Sequence, residues 1–131
     1  MPVQQILLNV NMDMLSINDK GELYASGAYH YPFLKAYLEQ VAPRPQAKLV
    51  LGHDLPEQGH DDWTSQSDHY QFHKHRIPFV YFGVEDHPHY HKPTDEFVHV
   101  NTVFYPDAAG LVIDFVQIAD KALASAKERK Q

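Results

Sequence analysis

The 131-residue sequence contains no cysteine, which excludes a disulfide framework, a thiolate nucleophile and any Cys-ligated zinc or iron–sulfur centre. Any metal chemistry therefore falls to oxygen and imidazole. Positive charge is also scarce, with 11 Lys and Arg against 17 Asp and Glu for a formal charge of −6. With no basic tract to offset that balance, a nucleic-acid groove or an anionic membrane surface is an unfavourable partner. Long apolar runs are missing as well. The first fifteen residues are interrupted by Gln4, Gln5, Asn9 and Asn11 and carry no basic leader, so they are expected to form neither a signal peptide nor a membrane span. The six glycines are scattered singly, which leaves no phosphate-cradling loop and no dinucleotide fingerprint.

What is abundant is histidine. There are ten, and eight of them fall between His60 and His99. Imidazole titrates near neutrality and ligates metals, so this stretch is the first functional lead. Hydrophobic residues at 44% and charged residues at 21% are otherwise ordinary for a folded domain.

Periodicity predicts the elements. Ile6, Leu8, Val10, Met12 and Met14 alternate with a face carrying Asn9, Asn11 and Asp13, which predicts a strand over 6–15. Asn18-Asp19-Lys20-Gly21 supplies turn chemistry before a second strand over 22–28, as a hairpin or sharp corner. Leu34, Tyr37, Leu38 and Val41 recur at helical spacing until Pro43 and Pro45, predicting a helix over about 31–42. Lys48 to Leu51 suits a third strand, followed by a long polar loop over 52–66. Ser67 is placed to cap a helix running to about His75. Phe79 to Val84 reads as a strand buried on both faces. After the Pro- and His-rich segment 85–97, the chain from Pro106 onward carries apolar residues, Ala108 to Ala126, that repeat at three and four, giving a last amphipathic helix with a basic end at Lys127, Arg129 and Lys130.

The order β, β, α, β, α, β, α predicts an α/β fold: a mixed, mainly parallel sheet of about four strands covered by helices, in one domain over 1–131. If the strands are mainly parallel, a ligand site lies beyond their carboxyl ends. Asp13 ends the first strand and the segment around His91 leaves the last, so the two converge at one sheet edge.

Three groups of residues invite chemistry, each with a plainer reading beside it. Asp13 is either a strand-borne carboxylate needing a partner or cation, or a solvent-facing residue at a strand end. His87, His89 and His91 are spaced by two and flanked by Asp86 and Asp95, a donor set suited to zinc, yet Pro88 and Pro93 interrupt them and surface histidines are common in polar loops. His69 and His73 stand one helical turn apart without the general-base glutamate of a His-Glu-x-x-His motif, and the plainer expectation is one ring buried and bonded and the other solvated. Ser67-Asp68-His69 has the residue types of a serine triad, but neighbours on one helix cannot face one another in those roles.

Asn11-Met12-Asp13-Met14, Ser67 to His73 leading to Ile77-Pro78, and Tyr81 to Asp95 together resemble the zinc-dependent exopeptidase family of bacterial leucyl aminopeptidases, glutamate carboxypeptidase II and the transferrin receptor ectodomain. The resemblance spans nearly the whole chain and implies the C-terminal half of that family's catalytic domain. It implies two zinc ions sharing a bridging carboxylate and water, with Asp13 as a ligand of one zinc and His91 of the other. It further implies Asp68 as a carboxylate that orients ligands and water by hydrogen bonding, and Tyr90 as a group that holds the substrate carbonyl. The family's remaining histidine and bridging aspartate, and its Glu-Glu pair, lie upstream of the Asn-x-Asp strand; only twelve residues precede Asp13 here, and no Glu-Glu pair occurs. Catalytic zinc takes three protein ligands and a water.

The expectation is thus a metallo-aminopeptidase-like hydrolase acting on peptides, whose site in this chain alone is incomplete, weakly active or inactive. Two other classes stand beside it: a non-catalytic interaction domain that associates through an exposed sheet edge, with its own copy or with the missing half, and a zinc-binding module recruiting His60, His69, His73, His87 or His89. Localisation is left open, since members of the family are often exported by signals outside the matching region.

Overall fold

The computed structural model describes residues 5–18, 20–85, 93 and 99–129, with side chains as far as 125. The predicted basic helix end at Lys127, Arg129 and Lys130 lies outside the described side chains. The elements are β1 (Asn9–Met12), β2 (Glu22–Ser26), α1 (Phe33–Glu39), β3 (Lys48–Leu51), a 3₁₀ turn over Pro56–Asp61, α2 (His69–His73), β4 (Phe79–Gly83) and α3 (Phe104–Arg129).

The four strands form one sheet in the order β1-β4-β2-β3. β1 runs parallel to β4 and β2 parallel to β3, while the central pair β2 and β4 is antiparallel. The mixed, mainly parallel expectation holds, and the hairpin does not, because β4 sits between β1 and β2. The turn residues make a wide connection instead: Met14 takes a left-handed φ of 62°, and the Asn18 side-chain oxygen gathers the amides of Lys20 and Glu22. Parallel pairing brings the carboxyl ends of β1 and β4 to one edge, where they meet the amino ends of β2 and β3.

One face of the sheet carries the main core. Leu23, Ala25, Val80, Phe82 and Val84 pack against Leu34 and Leu38 of α1 and against Phe104, Ala108, Leu111, Val112 and Phe115 of α3. Phe82 and Phe115 meet edge to face at 5.4 Å, and burying each such ring is worth about 1.5–3 kcal/mol. The other face is covered by the 52–68 loop and α2, where Trp63, Phe79 and Tyr81 form a second cluster with Tyr24 and Tyr31. β4 is buried at all five positions, as a strand covered on both faces requires.

Differences from the predicted boundaries have local causes. β1 is four residues rather than ten, since its described ladder partner is the five-residue β4. α1 begins at Phe33 because the amides of His30 and Tyr31 both turn back to the Gly27 carbonyl. α3 begins two residues ahead of Pro106, its first turn capped by the Asn101 side-chain oxygen on the amides of Val103 and Phe104, and proline is tolerated in that turn. Among the described residues no helix is long and apolar enough to cross a membrane.

Candidate active site

Asp13 follows the last residue of β1 at the edge where the parallel strands end. Its amide still bonds the Phe82 carbonyl at 3.1 Å, and the Val84 amide bonds the Met14 carbonyl at 3.1 Å, so the ladder carries the residue one step past the strand. Gly83 makes the approach possible. A β-carbon there would stand 2.9 Å from the Asp13 carbonyl oxygen and 2.9 Å from the Tyr81 ring, closer than packed carbon and oxygen tolerate.

The Asp13 carboxylate is exposed, so no buried-charge penalty has to be offset. Its Oδ2 accepts the Ser67 hydroxyl at 3.2 Å. Asn11 lies two residues back on the same strand face, and its amide nitrogen donates to Ser67 Oγ at 3.1 Å and meets His69 Nδ1 at 3.2 Å. The other nitrogen of His69 contacts the Trp63 carbonyl at 2.8 Å. A carbonyl only accepts, so Nε2 carries the proton and Nδ1 accepts from Asn11. His69 is 0% exposed, between the rings of Phe79 at 4.8 Å and Tyr81 at 4.7 Å. Burial pushes its pKa below the usual value, against the opposing pull of the Trp63 and Thr64 backbone. The ring is therefore neutral, as its bonding requires.

Ser67 was expected to cap α2. Its hydroxyl is turned instead toward Asp13, and α2 starts from Asp68 without a side-chain cap. Asp68 is exposed and stands next to Ser67, the residue that touches Asp13. Tyr90 and His91, with His87 and His89, lie outside the described residues. His73 departs from the solvated expectation: it is half-buried, its Nδ1 pairs with the Tyr31 hydroxyl at 2.8 Å, and burial, followed by the charge of His30, lowers its pKa. His60 lies exposed in the 3₁₀ turn.

A second constellation borders the same edge. His53, in a left-handed backbone conformation, stacks on Trp63 at 3.8 Å and meets the edge of Tyr24 at 4.6 Å. Its Nδ1 bonds the Asp61 carbonyl at 2.7 Å, and its Nε2 lies 3.9 Å from Glu85, just past β4. The Tyr24 phenol, hydrogen-bonded to Glu85 and partly buried, has its pKa pushed up to about 12. Asp54, the most buried carboxylate described, serves the scaffold: its Oδ2 accepts the amides of Gly27 and Tyr29 at 2.9 and 3.1 Å.

The model of peptidase family M28 matches residues 1–116. The chain belongs to peptidase family M28. Neither curated proteins nor solved structures gave a match. M28 is in general a zinc-dependent exopeptidase family, so membership makes this chain a peptidase-like hydrolase. Among the described residues, no group of three or more His, Asp and Glu is arranged to hold a metal ion. What the M28 chain does present is one exposed carboxylate, fixed at the carboxyl edge of the sheet and held through one oxygen, a donor type that zinc accepts.

Sequence reading missed Asn11 and His69 as members of this arrangement and assigned Ser67 another task. The polar side of β1 was the available signal, because period two puts Asn11 and Asp13 on one face. That face looks onto the Trp63 layer, and it is Met12 on the apolar face that is 55% exposed.

Proposed function

We propose that this chain supplies part of a two-zinc aminopeptidase site, which removes N-terminal residues from peptides when the remaining ligands and the general base are provided from outside these residues. The observation that supports this most directly is the Asp13 carboxylate, fixed by the β1–β4 ladder and Ser67 at the edge toward which β4 also runs. In this reading Asp13 and His91 would hold zinc, which supplies an activated water and a clamp for the developing oxyanion. Asp68 orients ligands and water by hydrogen bonding, and the Tyr90 hydroxyl holds the substrate carbonyl. With two protein ligands the chain alone binds zinc weakly and hydrolyses little.

The test is calorimetric zinc titration of the metal-stripped chain beside Asp13→Ala and His91→Ala. Weak binding abolished by either substitution is expected. Binding that survives both substitutions overturns the ligand assignment, and robust, chelator-sensitive cleavage of an aminoacyl anilide by the pure chain overturns the incomplete site.

A second reading, association, is favoured by one surface. Among the described residues β1 pairs on one side only, with β4. Beside it lies a groove of about 460 Å³ lined by Ile6, Leu7, Leu8, Val10, Val116 and Leu123. An open strand edge next to apolar surface is a template for another chain. Sedimentation that shows only monomer at high concentration would remove this reading.

A further inference from the structure

The connection from the buried ring of His69 to the exposed carboxylate of Asp13 has a fixed direction at every step. The Trp63 carbonyl obliges His69 Nε2 to donate, which leaves Nδ1 as an acceptor. Only the Asn11 amide nitrogen, not its oxygen, satisfies that acceptor, so the side chain cannot be flipped. The second proton of the same nitrogen goes to Ser67 Oγ. An Oγ that receives a proton on one side turns its own toward the acceptor on the other, which is Asp13 Oδ2. Each bond polarises the next.

We propose that Asn11, Ser67 and His69 are positioning residues that set the orientation of the Asp13 carboxylate, tying down Oδ2 and presenting Oδ1 at the sheet edge. The role concerns the metal reading above and rests on it where zinc is concerned. Two observations separate it from ordinary packing. Ser67, one residue ahead of the α2 cap position Asp68, sends its hydroxyl to a carboxylate 54 positions away, and His69 is fully buried yet directs one nitrogen along a path ending at an exposed charge. Outer hydrogen bonds of this kind commonly change metal affinity about 10- to 100-fold.

The test uses the full chain and two readouts. The first is the ¹⁵N resonances of the His69 ring in the wild type, Asp13→Ala, Ser67→Ala and the double variant. Asp13→Ala is expected to shift the ring nitrogens while Ser67 is present and to leave them unmoved in the Ser67→Ala background. Ring nitrogens indifferent to Asp13→Ala in both backgrounds overturn the relay. The second readout is zinc affinity by calorimetry, expected to fall about tenfold in Ser67→Ala and to recover in Ser67→Thr, which restores the hydroxyl. An affinity unchanged by Ser67→Ala overturns the positioning role. If the wild-type chain binds no zinc in an Asp13-dependent way, it is the metal reading that fails, and the ring resonances alone then decide the relay.

Discussion

Mild acidification should destabilise this protein, and His69 carries the effect. The ring is fully buried and accepts a hydrogen bond at Nδ1 that imidazolium cannot accept. Burial therefore holds its native pKa below the usual imidazole value of about 6.5. The unfolded chain takes up the proton first, so the stability is fully present above the unfolded pKa and is withdrawn as pH falls below it. Protonation of the unfolded imidazole between about pH 7.5 and about pH 5.5 can withdraw at most about 1.4 kcal/mol. With an m-value of about 1.5 kcal/mol per molar urea, the unfolding midpoint drops by up to about 1 M. His73, whose pKa is lowered by burial and then by His30, adds in the same direction. The assay is urea denaturation followed by tryptophan fluorescence at the two pH values, on the wild type and on His69→Gln, whose amide can donate to Trp63 and accept from Asn11 without titrating. The variant should begin less stable, having lost its ring contacts, and should lose less stability on acidification than the wild type does. A wild-type midpoint independent of pH, or an undiminished pH response in His69→Gln, refutes the argument.

Gly83→Ala places a β-carbon 2.9 Å from both the Asp13 carbonyl and the Tyr81 ring. It should cost about 1–3 kcal/mol by overpacking, and amide chemical shifts should change at Asp13 and Met14; a fully stable variant with unchanged shifts there would show that the strands do not approach so closely. Tyr24 should ionise late, near its raised value of about 12, because its phenol donates a hydrogen bond to Glu85. A spectrophotometric titration that loses this late phase in Glu85→Gln confirms the pairing, and an identical titration contradicts it. Since the native phenol holds its proton longer than the unfolded one, this pair stabilises the fold below the unfolded value and ceases to do so as pH rises through 12.

Much of the scaffold was legible because its signals are local. β3 falls where the run Lys48–Leu51 placed it, and β4 matches a short apolar run bounded by Pro78. The periodicity of Leu34 and Leu38, and of Ala108, Leu111, Val112 and Phe115, identified the faces that α1 and α3 bury. What escaped is what depends on partners distant in sequence. No local feature says that β4 will enter between β1 and β2, since that pairing joins residues more than fifty positions apart. Asp13 could be singled out from its strand face, but its bond to Ser67 spans 54 positions and the Asn11–His69 contact 58. Ser67 misled because a serine before a helix has a strong local use, and here the distant use prevails. The plainer view of the His69 and His73 pair, one ring buried and bonded and the other solvated, describes His69 but not the half-buried His73, and was silent about where the bonds lead.

The missing cap on α2 has a consequence for motion. A five-residue helix is far too short to hold itself together, and its cap residue Asp68 makes no side-chain capping bond. α2 persists because His69 is sealed against Phe79 and Tyr81 and bonded to Trp63 and Asn11. Opening α2 therefore breaks the side-chain bonds that Ser67 and His69 make to Asn11 and Asp13 in the same event, while the β1 backbone stays in its ladder with β4. The amides of 69–73 become a natural reporter: their exchange with solvent deuterium measures how often Asp13 loses its support, and any ligand that engages Asp13 in its ordered orientation slows that exchange from across the hydrogen bonds.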